Sequence, residues 1–418
     1  MGLGYIGLPT AAMFASRAKK VIGVDVNPRT LESLRSGNAP IHEPGLQEIL
    51  TLSLQSGNLI VQEQPDLADA FIIAVPTPFK TDKTADMGAV IAATEAIVPW
   101  LRPGNLVVLE STSPPRTTVD IVAPILERSG LKAGIDFSLA YSPERVLPGR
   151  ILTELVENAR VIGGVDSVSA HAGRELYTSF VRGDILITDT TTAEMVKLME
   201  NTFRDVNIAI ANEFSRLADR FGVDVWEAIA IANMHPRVNI LRPGPGVGGH
   251  CISVDPWFLV EAAPDLANLI RTARQVNDCQ PEFVLELVSR AAGGIKGKRV
   301  AALGLSFKAD VDDTRESPAV EVVHLLVQAG ALVKAYEPYK LNPLIPGIYT
   351  TPTLEEAVRD VDVLLLLVGH QQFLKLEPEI IASLTSARLA VDTVSGWNAD
   401  TWKRKGFKLF QLGVGKTD

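Results

Sequence analysis

"MGLGYIGLPTAAMFASRAKKVIGVDVNP", Met1 to Pro28, is the stretch on which the fold turns. Gly2, Gly4 and Gly7 stand in G-x-G-x-x-G spacing, followed by a helix-like run and a strand-like run that ends on Asp25. Glycines in this spacing let the backbone turn tightly and approach a pyrophosphate at a helix N-terminus. Asp25 lies eighteen residues past Gly7. An acid there accepts from the ribose hydroxyls of an adenosine and repels a 2′-phosphate, so NAD is expected rather than NADP. The competing reading is a tight strand–helix turn that holds no ligand.

One part of the fingerprint is missing. The glycines ordinarily follow a strand of five or six residues, and here only Met1 precedes them. That strand is central in such sheets, so its loss should leave backbone groups unpaired in the middle. We expect a misassigned start or a truncation, and weaker NAD binding than in a chain extended upstream.

Outward from this stretch, strand-like and helix-like runs alternate. Val21–Val26, Ala70–Val75, Leu106–Glu110, Phe137–Tyr141 and Arg160–Gly163 read as short apolar strands, which predicts a parallel sheet with crossover helices. From Thr190 the period changes to that of a helix some thirty residues long, with Thr191 or Thr192 as N-cap and Gly222 as stop. At about 1.5 Å per residue it would run ~45 Å. One further helix is expected over 267–290. The strand pattern then restarts at Lys298–Leu303, Leu332–Tyr336, Val363–Val368 and Leu389–Asp392. "GLGYIG…VIGVDVNP" and "ALGLSF…LVKAYEP" echo one another. The fold class is therefore α/β: two Rossmann-like parallel-sheet domains joined by a long central helix. The expected segments are 1–189, 190–292 and 293–418.

Composition bounds the chemistry. The 418 residues are 46% hydrophobic and carry a net charge of −9. With no basic run, nucleic acid and anionic membrane surfaces are not expected partners. The run "VDVLLLLVG" is far short of the ~20 residues that span a bilayer. Two cysteines make no disulfide framework, and no Cys/His spacing suits a metal. A cytoplasmic globular protein is expected.

The second informative stretch is "RPGPGVGGHCISVDPWFL", Arg242 to Leu259. It places Cys251 beside Gly244, Gly246, Gly248 and Gly249, on a loop stripped of side chains. A thiolate presented there can attack a carbonyl carbon and carry an aldehyde to the acid level through a thioester. Adjacent His250 is poorly placed as its base. Cys279 has no such loop and reads as structural. On the long helix, Lys197, Asn201 and Arg204 lie at i, i+4 and i+7, within about 60° of one another. Such a row is ordinarily solvated. It acquires a chemical meaning if it faces Cys251, because a lysine there lowers a thiol pKa and holds an oxyanion.

Seven ordered blocks carry a resemblance over nearly the whole chain: "GLGYIGLPTA", "VPTP", "ESTSPPRTT", "YSPERVLPG", "AEMVKLMENTFRDVNIAIANE", "GPGVGGHC" and "SFKADVDDTRESP". The sequence resembles the UDP-glucose/GDP-mannose dehydrogenase family. The resemblance implies a four-electron oxidation of a sugar C6 hydroxyl to a carboxylate, with two NAD reduced. "SPERVLPG", "HPRVNI" and "GGHCISVDPWFL" look most like members acting on UDP-N-acetyl-D-mannosamine. UDP-N-acetylglucosamine and UDP-glucose are the alternatives, and a catalytically silent nucleotide-binding protein is a third. Cys251 matches the family nucleophile and Lys197 the lysine that assists proton transfer. Asn201 matches a residue that holds the sugar oxygen, and Asp255 one that orients water or the lysine. Glu144 matches an acid near the site, and the first base is left open among Lys197, a water and Glu144. For NAD the resemblance marks Tyr5, Ile6, Asp25, Thr77, Thr112 and Arg315, in addition to the three glycines. For the UDP-sugar it marks Arg145, Val146, Lys197, Asn201, Arg204, His235, Arg237, Gly248, Phe307 and Lys308. It also implies a homodimer through the central helices, with Arg237 serving the neighbouring subunit, and a product used in surface polysaccharide synthesis.

Overall fold

The computed structural model describes residues 1–147, 149–340 and 343–415. Two compact units divide the chain: Met1–Glu200 with Glu261–Pro264, and Asn201–Val260 with Asp265–Asp418.

In the first unit, β1 (Val21–Val24) pairs in parallel with β2 (Leu59–Gln62). A separate five-stranded sheet runs β3 (Ala70–Ile73), β4 (Leu106–Leu109), β5 (Ser138–Tyr141), β6 (Arg160–Gly164) and β7 (Ile185–Asp189). All its pairs are parallel except β5 with β6. β4 is buried along its whole length, as a strand covered on both faces must be. Residues 1 and 2 run between β1 and β3. The Met1 ammonium donates to Ile72 O, Ala74 N to Met1 O, and Gly2 N to Val24 O, each at 2.8 Å. The two sheets meet through these bonds and not through a paired strand.

The second unit holds an all-parallel sheet in the order β12-β11-β10-β8-β9. Its strands are β8 (Arg299–Leu303), β9 (Leu332–Tyr336), β10 (Val363–Leu366), β11 (Leu389–Asp392) and β12 (Lys408–Gln411). The helix Pro318–Gln328 packs one face through Ala319, Val322, Val323 and Leu326, all almost wholly buried. Trp397, Trp402, Phe373 and Phe407 fill the other face.

The echo between the two halves has a physical basis. Gly2 and Gly304 both take positive φ, 88° and 94°. Gly2 N donates to Val24 O and Gly304 N to Tyr336 O, the last residue of β1 and of β9. The acid after each strand then receives the amide after each glycine: Leu3 N to Asp25 and Leu305 N to Glu337, both at 2.8 Å. A side chain at Gly2 would meet Ala74 O at 2.6 Å, and one at Gly304 the Val368 Cβ at 2.5 Å.

The central helix spans Thr190–Phe221 and stops at Gly222, which takes a left-handed φ of 71°, as expected. Its start is corrected. Asp189, at the end of β7, accepts from Thr192 N at 2.9 Å and Thr192 Oγ1 at 2.6 Å, so the acid caps the helix in place of a threonine. The single helix expected over 267–290 is two, Asn268–Asp278 and Gln280–Ala292. Pro281, in the first turn of the second, lacks the amide that would continue the first. Cys279 sits at this break with its thiol exposed, not packed in a core. Among the described residues, no helix is long and apolar enough to cross a membrane.

Candidate active site

The dinucleotide cradle forms in the first unit. A Cβ on Gly7 would lie 1.9 Å from Gly2 O, so the loop closes on itself only with glycine there. Gly4 is exposed and faces open space, which leaves the backbone approachable. The helix Gly7–Ser16 begins at this loop with no side-chain cap at Ile6 and no acid in its first turn. In its first turn Leu8 N donates to Gly4 O at 3.2 Å and Pro9 has no amide, which leaves Gly7 N at the helix end for an anion. Asp25 accepts Leu3 N and Asn27 N, one on each carboxylate oxygen, which fixes the acid at the mouth of the loop. Thr77 and Thr112, which follow β3 and β4, are joined by a 2.6 Å bond from Thr77 Oγ1 to Thr112 O. Tyr5 and Val146 both pack against the cluster that contains Met13, Phe14 and Tyr177. These groups fit a dinucleotide: an uncapped helix end for phosphates, an acid for a ribose, and glycines where Cβ atoms would intrude.

Behind the cradle lies a buried charge cluster that the sequence did not reveal. Arg160 extends its guanidinium between Glu110, at 3.4 Å, and Glu144, and lies 4.0 Å from the centre of the Tyr177 ring. Tyr177 Oη donates to Glu110 at 2.5 Å. Burial pushes the Glu110 carboxyl up to about 7, against the opposing pull of Arg160 and with a further push from Glu144. Glu144 also accepts Arg145 N at 2.7 Å, so both of its oxygens are engaged. Arg145 is paired with Glu200 at 2.5 Å and donates to Ala159 O at 3.0 Å.

On the central helix Lys197 is 9% and Asn201 8% exposed, whereas Arg204 lies in the open. The row is therefore not a solvated stripe over its first turn. Among the described residues, Lys197 forms no hydrogen bond or ion pair.

The second unit holds the cysteine loop. Cys251 is exposed, and its carbonyl accepts Val254 N at 3.1 Å and Asp255 N at 2.8 Å, starting the helix Asp255–Ala262. Asp255, 2% exposed, accepts from Asn201 Nδ2 at 2.5 Å. Gly248 and Gly249 allow this turn to press on a neighbouring segment. A Cβ on Gly248 would lie 2.2 Å from Glu316 O, and one on Gly249 2.9 Å from the Phe307 ring. His250 Nδ1 lies 3.7 Å from Asp313, which also holds Arg315 through two bonds of 2.7 and 2.8 Å. Burial and the Arg315 charge lower the His250 pKa. His235 and Arg237 are exposed, and Arg237 N donates to His235 Nδ1 at 3.3 Å.

A cavity of about 660 Å³ opens beside this loop. Its floor is formed by residues that follow β8 and β10, Ser306–Ala309 and Leu367–Gly369, where the strand order reverses. Ligands of open α/β sheets bind at such a switch point. Phe307 and Lys308 line it, as do Arg242, Pro245 and Ser395. Lys308 is exposed and, among the described residues, its ammonium has no partner. Arg242 and Ser395 were not singled out in the sequence. Arg242 was readable as the cation that opens the proline–glycine loop, but Ser395 carries no sequence signal.

Comparisons with known proteins agree with this geometry. Residues 1–181 match the NAD binding domain of the UDP-glucose/GDP-mannose dehydrogenase family, 191–279 its central domain and 301–399 its UDP binding domain. The chain belongs to that family. It is 47% identical over 422 residues to UDP-N-acetyl-D-mannosamine dehydrogenase of Methanocaldococcus jannaschii, covering 100% of this chain and 96% of that protein. It is 48% identical over 408 residues to NDP-N-acetyl-D-galactosaminuronic acid dehydrogenase of Ralstonia solanacearum, covering 96% of each. A solved structure of UDP-D-ManNAc dehydrogenase from Pyrococcus horikoshii is similar with TM-score 0.92 and 40% identity, over 100% of this chain and 99% of that one.

The Glu110 cluster makes a pH prediction. A carboxyl raised in the folded state favours folding below its unfolded pKa, and that contribution is lost as pH rises through the folded value. The window here is 4.5 to about 7. Arg160, Glu144, Tyr177 and the Met1 ammonium share the cluster, so the comparison is made against Glu110→Gln. Thermal unfolding should show the stability advantage of the native chain over this variant shrinking as pH rises through that window. A difference constant with pH contradicts the assignment.

Proposed function

We propose that the chain oxidises the C6 hydroxyl of UDP-N-acetyl-D-mannosamine to the carboxylate, through a covalent intermediate on Cys251. The observation that carries this reading is an exposed thiol on a side-chain-poor turn, backed by the Asp255–Asn201 bond, on the loop whose opening residues Arg242 to Gly246 line a cavity at the switch point of the second sheet. In this reading segments 1–189, 190–292 and 293–418 bind NAD, carry the chemistry and bind UDP, respectively.

NAD, held by Gly2, Gly4, Gly7, Tyr5, Ile6, Asp25, Thr77, Thr112 and Arg315, supplies a hydride acceptor for each of the two oxidations. The first removes a hydride from C6 and a proton from its hydroxyl to give an aldehyde. Glu144 has both oxygens engaged, which favours Lys197, or a water it holds, as the proton acceptor. The Cys251 sulfur then bonds to the aldehyde carbon while the oxygen gains a proton, giving a thiohemiacetal. Asn201 and Lys197 hold that oxygen. Loss of the second hydride and of the proton leaves a thioester. Water oriented by Asp255 adds, the C–S bond breaks, and the carboxylate and thiol are released. Phe307, Lys308, Gly248, Arg204, Arg145, Val146, His235 and Arg237 are assigned to the UDP-sugar. The similarity to an NDP-N-acetyl-D-galactosaminuronic acid dehydrogenase supports a second reading in which the epimer differs and the chemistry is unchanged. We further infer a homodimer through the central helix. The exposed Phe203, Phe214, Leu217 and Phe221, four large apolar side chains on one helix, support it, and sedimentation at twice the monomer mass checks it.

A panel of UDP-sugars with NADH counted per substrate tests the activity. UDP-N-acetyl-D-mannosamine should give two NADH and the fastest turnover. One NADH per sugar would point to a simple two-electron dehydrogenase. Cys251→Ser should retain UDP binding and lose the second NADH. Lys197→Ala should lower kcat on the order of 10²-fold or more, as expected when an oxyanion donor is lost.

A further inference from the structure

The loop from Arg242 to Gly246 forms one wall of the cavity, yet it has few side chains with which to fix its own path. Its position comes from two buried amides. Asn212, on the central helix, accepts Gly244 N at 3.0 Å through Oδ1. Gln280, in the first turn of the Gln280–Ala292 helix, donates from Nε2 to Gly244 O at 3.1 Å. Both are 0% exposed. Gly244 therefore has both backbone polar groups held by side chains from two different helices.

Each side chain is in turn held by others. Asn212 Nδ2 donates to Asn277 Oδ1 at 2.9 Å, and Arg216 Nε donates to Gln280 Oε1 at 2.8 Å. These bonds fix which way each amide faces. Asn212 is obliged to present its oxygen, and Gln280 its nitrogen, to Gly244. Two residues further on, a Cβ on Gly246 would sit 2.8 Å from Pro318 and 3.3 Å from Asn277 O, so the wall is also seated against the Pro318–Gln328 and Asn268–Asp278 helices. Neither Asn212 nor Gln280 is among the residues that line the cavity.

We propose that Asn212 and Gln280 form an amide clamp on Gly244 that positions the cavity wall for a uridine diphosphate, acting as positioning residues that never touch it. The inference rests on the reading of this cavity as the UDP site. Buried polar groups are costly when left half-satisfied, so removing either amide lets the wall relax.

The test is UDP binding to the full chain by titration calorimetry, with thermal unfolding of the same samples. The variants are Asn212→Leu and Gln280→Met, which each remove one bond to Gly244. Arg274→Lys is the control. It perturbs the same buried network through Asp205 and Asp278 without reaching Gly244. The clamp predicts a loss of UDP affinity of roughly tenfold, about 1.4 kcal/mol, in either clamp variant that folds. Arg274→Lys should melt lower and keep native UDP affinity, and NAD affinity should hold in all three. Native UDP affinity in Asn212→Leu and Gln280→Met would overturn the clamp, as would affinity that follows melting temperature in all three. A native chain that does not bind UDP would overturn the reading of the cavity, and the clamp with it.

Discussion

The hydrogen bond from Asn201 to Asp255 is the constraint on which the cysteine turn depends. Asp255 opens the helix Asp255–Ala262, and its own amide and that of Val254 bind the Cys251 carbonyl. A buried acid with a single turn of backbone between it and the thiol thus fixes where the thiol stands. Burying a carboxylate is costly unless it is bonded, and Asn201 provides that bond from the central helix. Lys197 lies one turn earlier on the same helix.

The two glycine loops display one device put to two uses. In the first unit Asp25 accepts two amides and stays partly exposed. In the second, Glu337 is 1% exposed and accepts Leu305 N, Ser306 N and Tyr339 N. His370, also fully buried, approaches it at 3.2 Å. Burial pushes the Glu337 pKa up, but the bonds from His370 and the backbone outweigh it, and the net direction is down. Asp25 retains a face for a ribose. Glu337 is consumed by structure, and the ligand cavity of its unit is built instead from Phe307, Lys308 and the Arg242 loop.

Much of this was legible in the sequence, for reasons that can be named. The central helix has an uninterrupted helical period free of proline and internal glycine. β4 and β10 are continuous apolar runs because both faces are covered. What escaped was of three kinds. β2, β7 and β12 are only partly buried, and the apolar runs in β2 and β7, Leu59–Val61 and Ile185–Ile187, are only three residues long. Pro281 and Asp189 were present in the sequence, but a helical pattern passes over a break one residue long, and a strand that ends directly in a cap leaves no loop to flag it. The Glu110–Arg160–Glu144 cluster was the least visible. Glu110 and Arg160 lie 50 positions apart, and charged residues read as solvated until a fold shows them paired. The same holds for the Asn212 and Gln280 amides, whose value lies wholly in what they face.

The proposed mechanism depends on sulfur chemistry at one position, Cys251. The most direct measurement is acid quenching of the enzyme during turnover with UDP-N-acetyl-D-mannosamine and NAD, followed by mass spectrometry of its peptides. A sugar-nucleotide adduct on the peptide containing Cys251, absent when NAD is omitted, is the result expected. Turnover to the carboxylate with that peptide always unmodified, or with the adduct on Cys279 instead, would contradict the mechanism.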